Sequence, residues 1–326
     1  MNDIAEHSPD DIDFGPMVLG TMTFGDTVDL DAAVELMDLA LDAGITHIDT
    51  ANGYSAGESE RIVSKFISAR RDSVTVATKA GMYLGATDGN SPLSPKGLRL
   101  SVEASLGRLG TEYVDLLYLH QPDRAADLQD TLETVAALRA EGKIRALGVS
   151  NYSAWQIGEV SRIAGDVGAP LPIVAQQLYN LLARRIEDEY VEFADVTGLI
   201  TMVYNPLGGG LLTGKHSFEE SPNEGRFGDS RLASMYRDRY WNAQIFEAIS
   251  ALSSIASDAG LPLTELALRW LRSKPVVGPI LLGGSKATHL KANIDALGRG
   301  PLAHDLMIAC DDVGATLRGP MPAYNR

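Results

Sequence analysis

The feature that most constrains the fold is a repeated pair of patterns: a short apolar run typical of a buried strand, then an amphipathic stretch typical of a helix. Two of the helical stretches are clearly bounded. Apolar residues recur at helical spacing over 30–41 and stop before Gly44, and a second stripe over 98–109 lies between Ser94-Pro95 and Gly110. This alternation predicts parallel strands joined by helices.

Eight segments carry the strand pattern, and no linker or low-complexity tract divides the 326 residues. We therefore predict an α/β fold, a (β/α)8 TIM barrel forming a single domain over residues 1–326, with a long loop after strand 7 and a C-terminal helix. A closed barrel is favoured over a doubly wound sheet because closure leaves no edge strand. The predicted strands are 17–21, 45–49, 74–78, 114–120, 144–149, 173–176, 199–204 and 278–282.

Charge and cysteine content narrow the possible partners. The net charge of −15 would repel a phosphate backbone, so we expect no nucleic-acid partner. One cysteine, Cys310, excludes an intrachain disulfide, and we expect it to be buried in a C-terminal helix. The N-terminus lacks a signal-peptide pattern, and no apolar run approaches the roughly 20 residues of a membrane span. We expect a cytoplasmic protein with no membrane partner and, from its histidine spacing, no metal.

Four residues at predicted strand ends point to proton transfer. Asp49 ends the second strand, Lys79 follows the third and His120 ends the fourth, while Tyr54 lies just after Asp49. These side chains should meet at the carboxyl end of the barrel. We expect Lys79, held by Asp49, to lower the pKa of Tyr54 and make it a general acid. His47 lies on the same strand face as Asp49, where we expect packing or support of the site.

Ordered motifs extend over nearly the whole chain. They are LGTMTFG at 19–25, DTANGY and GESE from Asp49, VATKAG around Lys79, DLLYLHQPD around His120, GVSNY at 148–152, QQLYNLLAR from Gln176, YNPLGGGLLTGK from Tyr204 and GGSK at 283–286. Together these motifs resemble those of the aldo-keto reductases. The resemblance implies that Tyr54 is the proton donor, that Lys79 and Asp49 tune it, and that His120 orients the substrate carbonyl; none of the four is substituted.

The resemblance also implies a nicotinamide cofactor bound by the barrel itself. Ser150, Asn151 and Gln176 match the family's contacts to the nicotinamide carboxamide, and Tyr204 matches the aromatic residue that stacks on the ring. Asn293 resembles the residue that contacts adenine. The other cofactor positions implied are Gly20, Thr21, Asn205, Pro206, Leu207, Gly209, Leu211, Lys215, Gly283, Ser285, Lys286 and His289.

The stretch after the eighth strand favours NADPH over NADH. Ser285 is expected to cap a helix, and Lys286, His289 and Lys291 lie nearby with no acidic residue between them. A helix N-terminus with added cations is a site for the 2′-phosphate of NADPH. The sequence departs from many relatives at His289, where an Arg or Gln is frequent.

Residues around the expected site define a substrate pocket only coarsely. Phe24, Met82 and Tyr83 either line an apolar carbonyl pocket or pack the barrel rim, and residues 83–94 and the tail after Arg318 should shape it. Residues 205–239 either form a lid over the cofactor pyrophosphate or a disordered surface loop.

Together these features predict an NADP-dependent aldo-keto reductase that reduces an aldehyde or ketone, a small-molecule carbonyl substrate, to an alcohol. Two other functions stay open. One is a cofactor-bound regulatory or sensor barrel with little turnover. The other is a Schiff-base lyase that uses Lys79 as its nucleophile.

Overall fold

The computed structural model describes residues 12–220 and 222–319, and its eight parallel strands form one closed barrel in chain order. Strand β8 pairs with β1 and completes the ring. The predicted (β/α)8 barrel is confirmed, with a strand at each of the eight predicted places. The strands are β1 Met17–Gly20, β2 His47–Asp49, β3 Thr75–Ala80, β4 Val114–Leu119, β5 Ile144–Ser150, β6 Pro172–Leu178, β7 Ile200–Tyr204 and β8 Ile280–Leu282.

Helices cover the outside of the barrel, and the two best-marked helix ends are confirmed. The Ser94 hydroxyl accepts from the Gly97 N–H at 3.3 Å, and Gly110 adopts the left-handed conformation that ends the helix. The helices are α1 Leu30–Asp42, α2 Glu58–Ile67, α3 Pro95–Leu109, α4 Leu128–Ala140, α5 Ala154–Val167, α6 Tyr190–Thr197, α7 Ala233–Tyr240, α8 Ala243–Asp258, α9 Leu263–Arg272, α10 Ala287–Gly298 and α11 His304–Thr316.

Two strands begin two residues later than predicted. Strand β2 begins at His47 because the Ile45 N–H still bonds to the Ala40 carbonyl and closes the turn after α1. Strand β8 begins at Ile280 because Pro279 has no N–H for the ladder. Cys310 lies fully buried in α11, as expected. Over residues 12–220 and 222–319, no helix has both the length and the apolar character required to cross a bilayer.

The amino-terminal end of the barrel is filled by side chains. Phe14 packs there with an apolar cluster drawn from six of the eight strands, and its ring centroid lies 5.0 Å from that of His47. Tyr118 is fully buried in the same cluster, and a Cβ at Gly148 would lie 2.6 Å from its ring, so only glycine fits on β5 there. Chemistry is thereby confined to the carboxyl end.

The segment 205–239 is more regular than predicted. It contains 3₁₀ turns at Gly208–Thr213 and Gly225–Phe227, and it continues into helix α7. The prediction of a loop throughout was therefore wrong for its last part. Aromatic contacts explain the helix, because Tyr236 on α7 packs edge-on against Phe227, with ring centroids 5.8 Å apart.

Candidate active site

A buried ion pair forms the base of the site. Asp49 at the end of β2 and Lys79 on β3 both point into the barrel and are fully buried. The Lys79 ammonium pairs with Asp49 Oδ1 and donates to the Thr50 carbonyl at 2.9 Å. Burial lowers the pKa of Lys79 and raises that of Asp49, and the charge of each opposes the shift of the other. Lys79 is therefore held in place by two acceptors.

The phenol and the imidazole lie directly above this pair. Lys79 Nζ donates to Tyr54 Oη at 3.3 Å and lies 4.9 Å from the centroid of its ring. The Tyr54 and His120 rings meet edge to face with centroids 6.0 Å apart. The structure thus brings together all four residues predicted from the strand ends.

The pKa of Tyr54 differs from the expectation. Burial and the Asp49 carboxylate raise the pKa of Tyr54 well above its usual value, and the Arg226 guanidinium opposes this rise. The expected lowering by Lys79 does not appear, because burial, the largest cause, and secondarily the Asp49 carboxylate both raise the pKa of Tyr54. The phenol consequently keeps its proton at neutral pH, which is the state a proton donor needs. The hydrogen bond from Lys79 is placed to stabilise the phenolate after the proton leaves.

His120, immediately after β4, is a neutral imidazole. Burial, and secondarily the Lys79 charge, lower the pKa of His120 to about 3. Its Nδ1 has no hydrogen-bond partner among the described residues, while its backbone carbonyl accepts from Asn151 Nδ2 at 2.9 Å. A neutral ring beside Tyr54 can hydrogen-bond a substrate oxygen without adding a charge.

The residues expected to contact nicotinamide form one connected group beside the ion pair. Ser150 Oγ donates to the Gln176 carbonyl at 3.1 Å, and Tyr204 Oη donates to Asn151 Oδ1 at 2.7 Å. Gln176 Nε2 donates to Asp49 Oδ2 at 2.9 Å. Asn151 has a φ of 62°, a left-handed conformation that asparagine tolerates better than most residues. Amide and hydroxyl groups therefore line the mouth next to Tyr54.

The segment 205–239 reaches across this mouth. Ser230 Oγ donates to Asp26 Oδ2 at 2.7 Å, which joins the segment to the loop after β1. Arg226 donates to Tyr236 Oη at 2.8 Å, and a Cβ at Gly283 after β8 would lie 3.9 Å from the Arg226 guanidinium. A segment that leaves β7 thus contacts the chain just after β8 and the loop after β1, the next two strands around the barrel.

A cationic corner lies where β8 leads into α10. Lys286, not Ser285, is the N-cap of α10, and no side-chain hydrogen bond caps the helix. The predicted Ser285 cap is wrong because the helix begins one residue later than expected. His289 lies at the same corner. Burial lowers the pKa of His289, and the nearby charges of Lys215 and Lys286 lower it further. Lys291 instead pairs with Asp295 at 3.2 Å.

Other predicted cofactor positions have varied surroundings. Thr21 is fully buried, and its hydroxyl lies 2.8 Å from that of Ser59. Asn205 orders the turn after β7, because its Oδ1 accepts from the Gly209 N–H at 2.6 Å. Leu211 and Asn293 are buried. The remaining predicted positions on the strand ends and the turn after β7 are Gly20, Pro206 and Leu207.

The predicted substrate-pocket residues differ in exposure. Phe24 is buried in the main core, whereas Met82 is 46% exposed at the rim. Tyr83 lies beside the loop that carries Tyr54, because a Cβ at Gly53 would be 3.3 Å from Tyr83 Cβ. The tail beyond residue 319 lies outside the described residues. Phe24 therefore belongs to the core, whereas a role of Met82 and Tyr83 in lining the pocket stays a prediction.

Two residues next to the site were missed in the sequence analysis. Tyr118 lies on β4 with its ring centroid 5.5 Å from Lys79 Nζ, and Arg226 acts on the pKa of Tyr54. Tyr118 could have been found, because it lies two residues before His120 and so faces the same side of the strand. Arg226 carries no such signal, since the fold of 205–239 brings it to the mouth.

Comparison with known proteins agrees with this geometry. A sequence model described as the Aldo/keto reductase family matches residues 16–315. The chain belongs to the aldo/keto reductase family. Similar members include "Aflatoxin B1 aldehyde reductase member 2" of Homo sapiens, 35% identical over 95% of this chain and 89% of its own length. The Rattus norvegicus protein of the same name is 34% identical over 95% of this chain and 87% of its own.

A third aldo/keto reductase relative has a different kind of name. The "Probable voltage-gated potassium channel subunit beta" of Oryza sativa subsp. japonica is 31% identical and covers 86% of both chains. Aldo/keto reductases are oxidoreductases that generally use NAD(P)H. Family membership and the named aldehyde reductases support carbonyl reduction as the general activity of this chain.

Proposed function

We propose that this protein reduces an aldehyde or ketone to an alcohol with NADPH, and that Tyr54 is the general acid. The observation that carries the proposal is the contact of Tyr54 Oη with Lys79 Nζ at 3.3 Å beside the neutral ring of His120. A protonated phenol, a buried cation and a neutral imidazole at one barrel mouth are suited to protonating an oxyanion.

The residues at the mouth fit a nicotinamide dinucleotide. The side chains of Ser150, Asn151 and Gln176 offer the hydroxyl and amide groups that can pair with a carboxamide, and Tyr204 adds an aromatic ring. When bound, NADPH would supply the hydride that reduces the carbonyl carbon. The α10 N-terminus, which has no side-chain cap, fits a phosphate.

The protein's own groups would handle the proton. His120 orients the substrate carbonyl by a hydrogen bond to its oxygen. As that oxygen becomes negative, Tyr54 gives it the phenolic proton and becomes a phenolate. Lys79 stabilises the phenolate through the hydrogen bond already present, and the ion pair with Asp49 holds Lys79 in position. A proton from solvent then restores Tyr54.

A steady-state assay tests the proposal. Loss of NADPH absorbance is followed with a panel of aldehydes and ketones, for wild type and Tyr54→Phe. Loss of the phenolic proton should lower kcat by about 10²- to 10⁴-fold, while NADPH binding, measured by nicotinamide fluorescence, stays unchanged. Wild-type turnover by Tyr54→Phe would contradict the assignment.

The cationic corner supports NADPH as the preferred cofactor. Among the described residues, neither Lys215 nor Lys286 forms an ion pair within 4 Å, so both ammonium groups are available to a 2′-phosphate. Lys286→Ala should weaken NADPH binding roughly tenfold and leave NADH binding nearly unchanged. The matched control is Lys291→Ala, which removes an exposed lysine of α10 that pairs with Asp295. Equal loss for both cofactors would contradict this preference.

A regulatory barrel with little turnover is the second candidate, supported by the name of the rice relative. The same assay separates the two functions. Tight NADPH binding with no oxidation across the whole panel would favour the regulatory function over the reductase.

A further inference from the structure

The backbone after Tyr54 is held in an uncommon conformation. Ser55 and Ala56 have φ angles of 48° and 54°, and Gly57 follows at 90°. Left-handed backbone is disfavoured for residues with a Cβ, and alanine has no polar side chain to compensate. Such turns persist only where the surrounding structure holds them. The position of the Tyr54 phenol therefore depends on whatever braces this turn.

Arg108 on α3 is the side chain that lies against the turn. A Cβ at Gly57 would be 2.6 Å from Arg108 Cδ and 2.7 Å from its Nε, so the arginine occupies the space beside Gly57. The side chain of Arg108 is 13% exposed. It therefore lies between the turn and α3 as a packed group.

Glu60 on α2 fixes the position of Arg108. Arg108 Nε donates to Glu60 Oε2 at 2.6 Å, and Arg108 Nη2 donates to Ser105 Oγ at 3.2 Å. The Glu60 carboxylate is fully buried, which makes an unpaired state costly. The ion pair is thus a fixed contact between α2 and α3.

The other oxygen of Glu60 reaches the strand that carries Lys79. Thr78 Oγ1 donates to Glu60 Oε1 at 2.6 Å. Successive side chains of a strand point to opposite faces, so Thr78 points out of the barrel while Lys79 points in. Burial lowers the pKa of Lys79, and the charges of Asp49 and Glu60 both oppose that shift. Glu60 therefore acts electrostatically on Lys79 from the outer face of β3.

We infer that the Arg108–Glu60 pair is a positioning device for the Tyr54–Lys79 contact, bracing the turn after Tyr54 and the β3 residue next to Lys79 from outside the barrel. The inference rests on the proposed role of Tyr54. Neither Arg108 nor Glu60 touches the reacting atoms; both act through the residues they hold.

The test uses three single variants and one double variant of the full-length enzyme. Glu60→Gln and Arg108→Met break the ion pair, and Thr78→Val removes one hydroxyl while leaving the pair intact. A small displacement of a catalytic group can cost up to about 10²-fold, so we expect the two ion-pair variants to lose roughly ten- to hundred-fold in kcat. Thr78→Val should lose less. The NADPH dissociation constant should stay unchanged.

Two readouts separate positioning from stability. The solvent deuterium isotope effect on kcat should rise in the variants, because proton transfer from a displaced phenol becomes slower. The double variant Glu60→Gln/Arg108→Met leaves no unpaired charge, so it should recover folding stability but keep the low kcat. Recovery of wild-type kcat in the double variant would overturn the inference.

Glu265 provides a matched control. It is a buried carboxylate on α9 that pairs with Arg269 at 3.0 Å and with Arg299. Glu265→Gln should lower the thermal midpoint without changing kcat or the isotope effect. If Tyr54→Phe is inactive while the Glu60 and Arg108 variants keep wild-type kcat and isotope effect, this inference alone fails. If Tyr54→Phe is fully active, the proposed function fails.

Discussion

Gln176 Nε2 donates to Asp49 Oδ2 at 2.9 Å, across the barrel from β6 to β2. The other Asp49 oxygen holds Lys79, which in turn contacts Tyr54. One carboxylate is therefore shared by the amide expected to bind nicotinamide and the cation beside the proposed proton donor. Asp49 thus links the group proposed for cofactor binding to the group proposed for proton transfer.

Replacing this amide should affect both halves of the site. Gln176→Leu removes the amide and leaves a buried Asp49 oxygen unsatisfied, at a cost of about 1–3 kcal/mol. We expect weaker NADPH binding together with a lower kcat, measured by fluorescence titration and steady-state kinetics. Gln177→Leu is the neighbouring control, because Gln177 donates to the Tyr152 carbonyl and does not contact Asp49. A Gln176 variant with wild-type kcat would show that the two halves are independent.

The buried imidazoles should make the protein sensitive to acid. Burial, followed by the Lys79 charge, lowers the pKa of His47 from 6.5 to about 3. Below pH 6.5 the unfolded chain binds a proton that the folded protein excludes, so stability falls as the pH falls towards 3. Above pH 6.5 neither state binds it, and the contribution vanishes. His120 behaves in the same way.

In the unfolded chain, His47 and His120 each bind one proton that the folded protein excludes, and His47→Met should remove one of these two. Each full proton corresponds to about 1.4 kcal/mol per pH unit, so urea unfolding between pH 6.5 and 5 should show a shallower loss of stability in the variant. Identical pH slopes for variant and wild type would mean that His47 is protonated in the folded protein.

The contact of Ser230 with Asp26 should slow the release of cofactor. Ser230→Ala removes the 2.7 Å hydrogen bond that joins 205–239 to the loop after β1. We expect faster NADPH dissociation in stopped-flow measurements, and faster proteolytic cleavage within residues 214–229 that NADPH suppresses less than in wild type. Ser217→Ala is the control, since that hydroxyl bonds to Glu219 within the segment. Equal dissociation rates for wild type and Ser230→Ala would exclude this role.

A charged cluster at the barrel exterior should affect stability alone. Asp115 accepts from the Val76 N–H at 2.9 Å and pairs with Arg71 at 2.8 Å and Arg145 at 2.9 Å. The two guanidinium groups lie 4.0 and 3.9 Å from the Tyr113 ring centroid, on the residue just before β4. Asp115→Asn should lower the free energy of unfolding by about 3 kcal/mol with unchanged kcat. Chemical denaturation and the reductase assay together check this, and a large loss of kcat per folded molecule would contradict it.

The barrel and its four central side chains could be predicted because their signals are local. Apolar runs fix the strands, Ser94 and Gly110 mark helix ends, and Asp49 and His120 stand at strand ends that a parallel barrel must bring together. Period-two alternation would also have identified Tyr118, which faces the interior two residues before His120.

The rest depends on contacts between distant residues. Helix α7 is stabilised by aromatic packing that cannot be predicted from its own sequence, ASMYRDRY. The direction of the Tyr54 pKa shift follows from burial, which no spacing reveals. The role inferred for Glu60 requires knowing that α3 delivers Arg108 to the turn after Tyr54. Helix α10 begins one residue after its predicted start, a difference too small for cap patterns to resolve.

Phe14 and its neighbours close the amino-terminal end of the barrel, so every reactant must arrive and depart through the opposite opening. Under the proposed function, the carbonyl compound would reach Tyr54 through the same opening that admits the dinucleotide, beside the Ser230–Asp26 contact of 205–239. Cofactor, carbonyl substrate and alcohol product would therefore all use one route in and out.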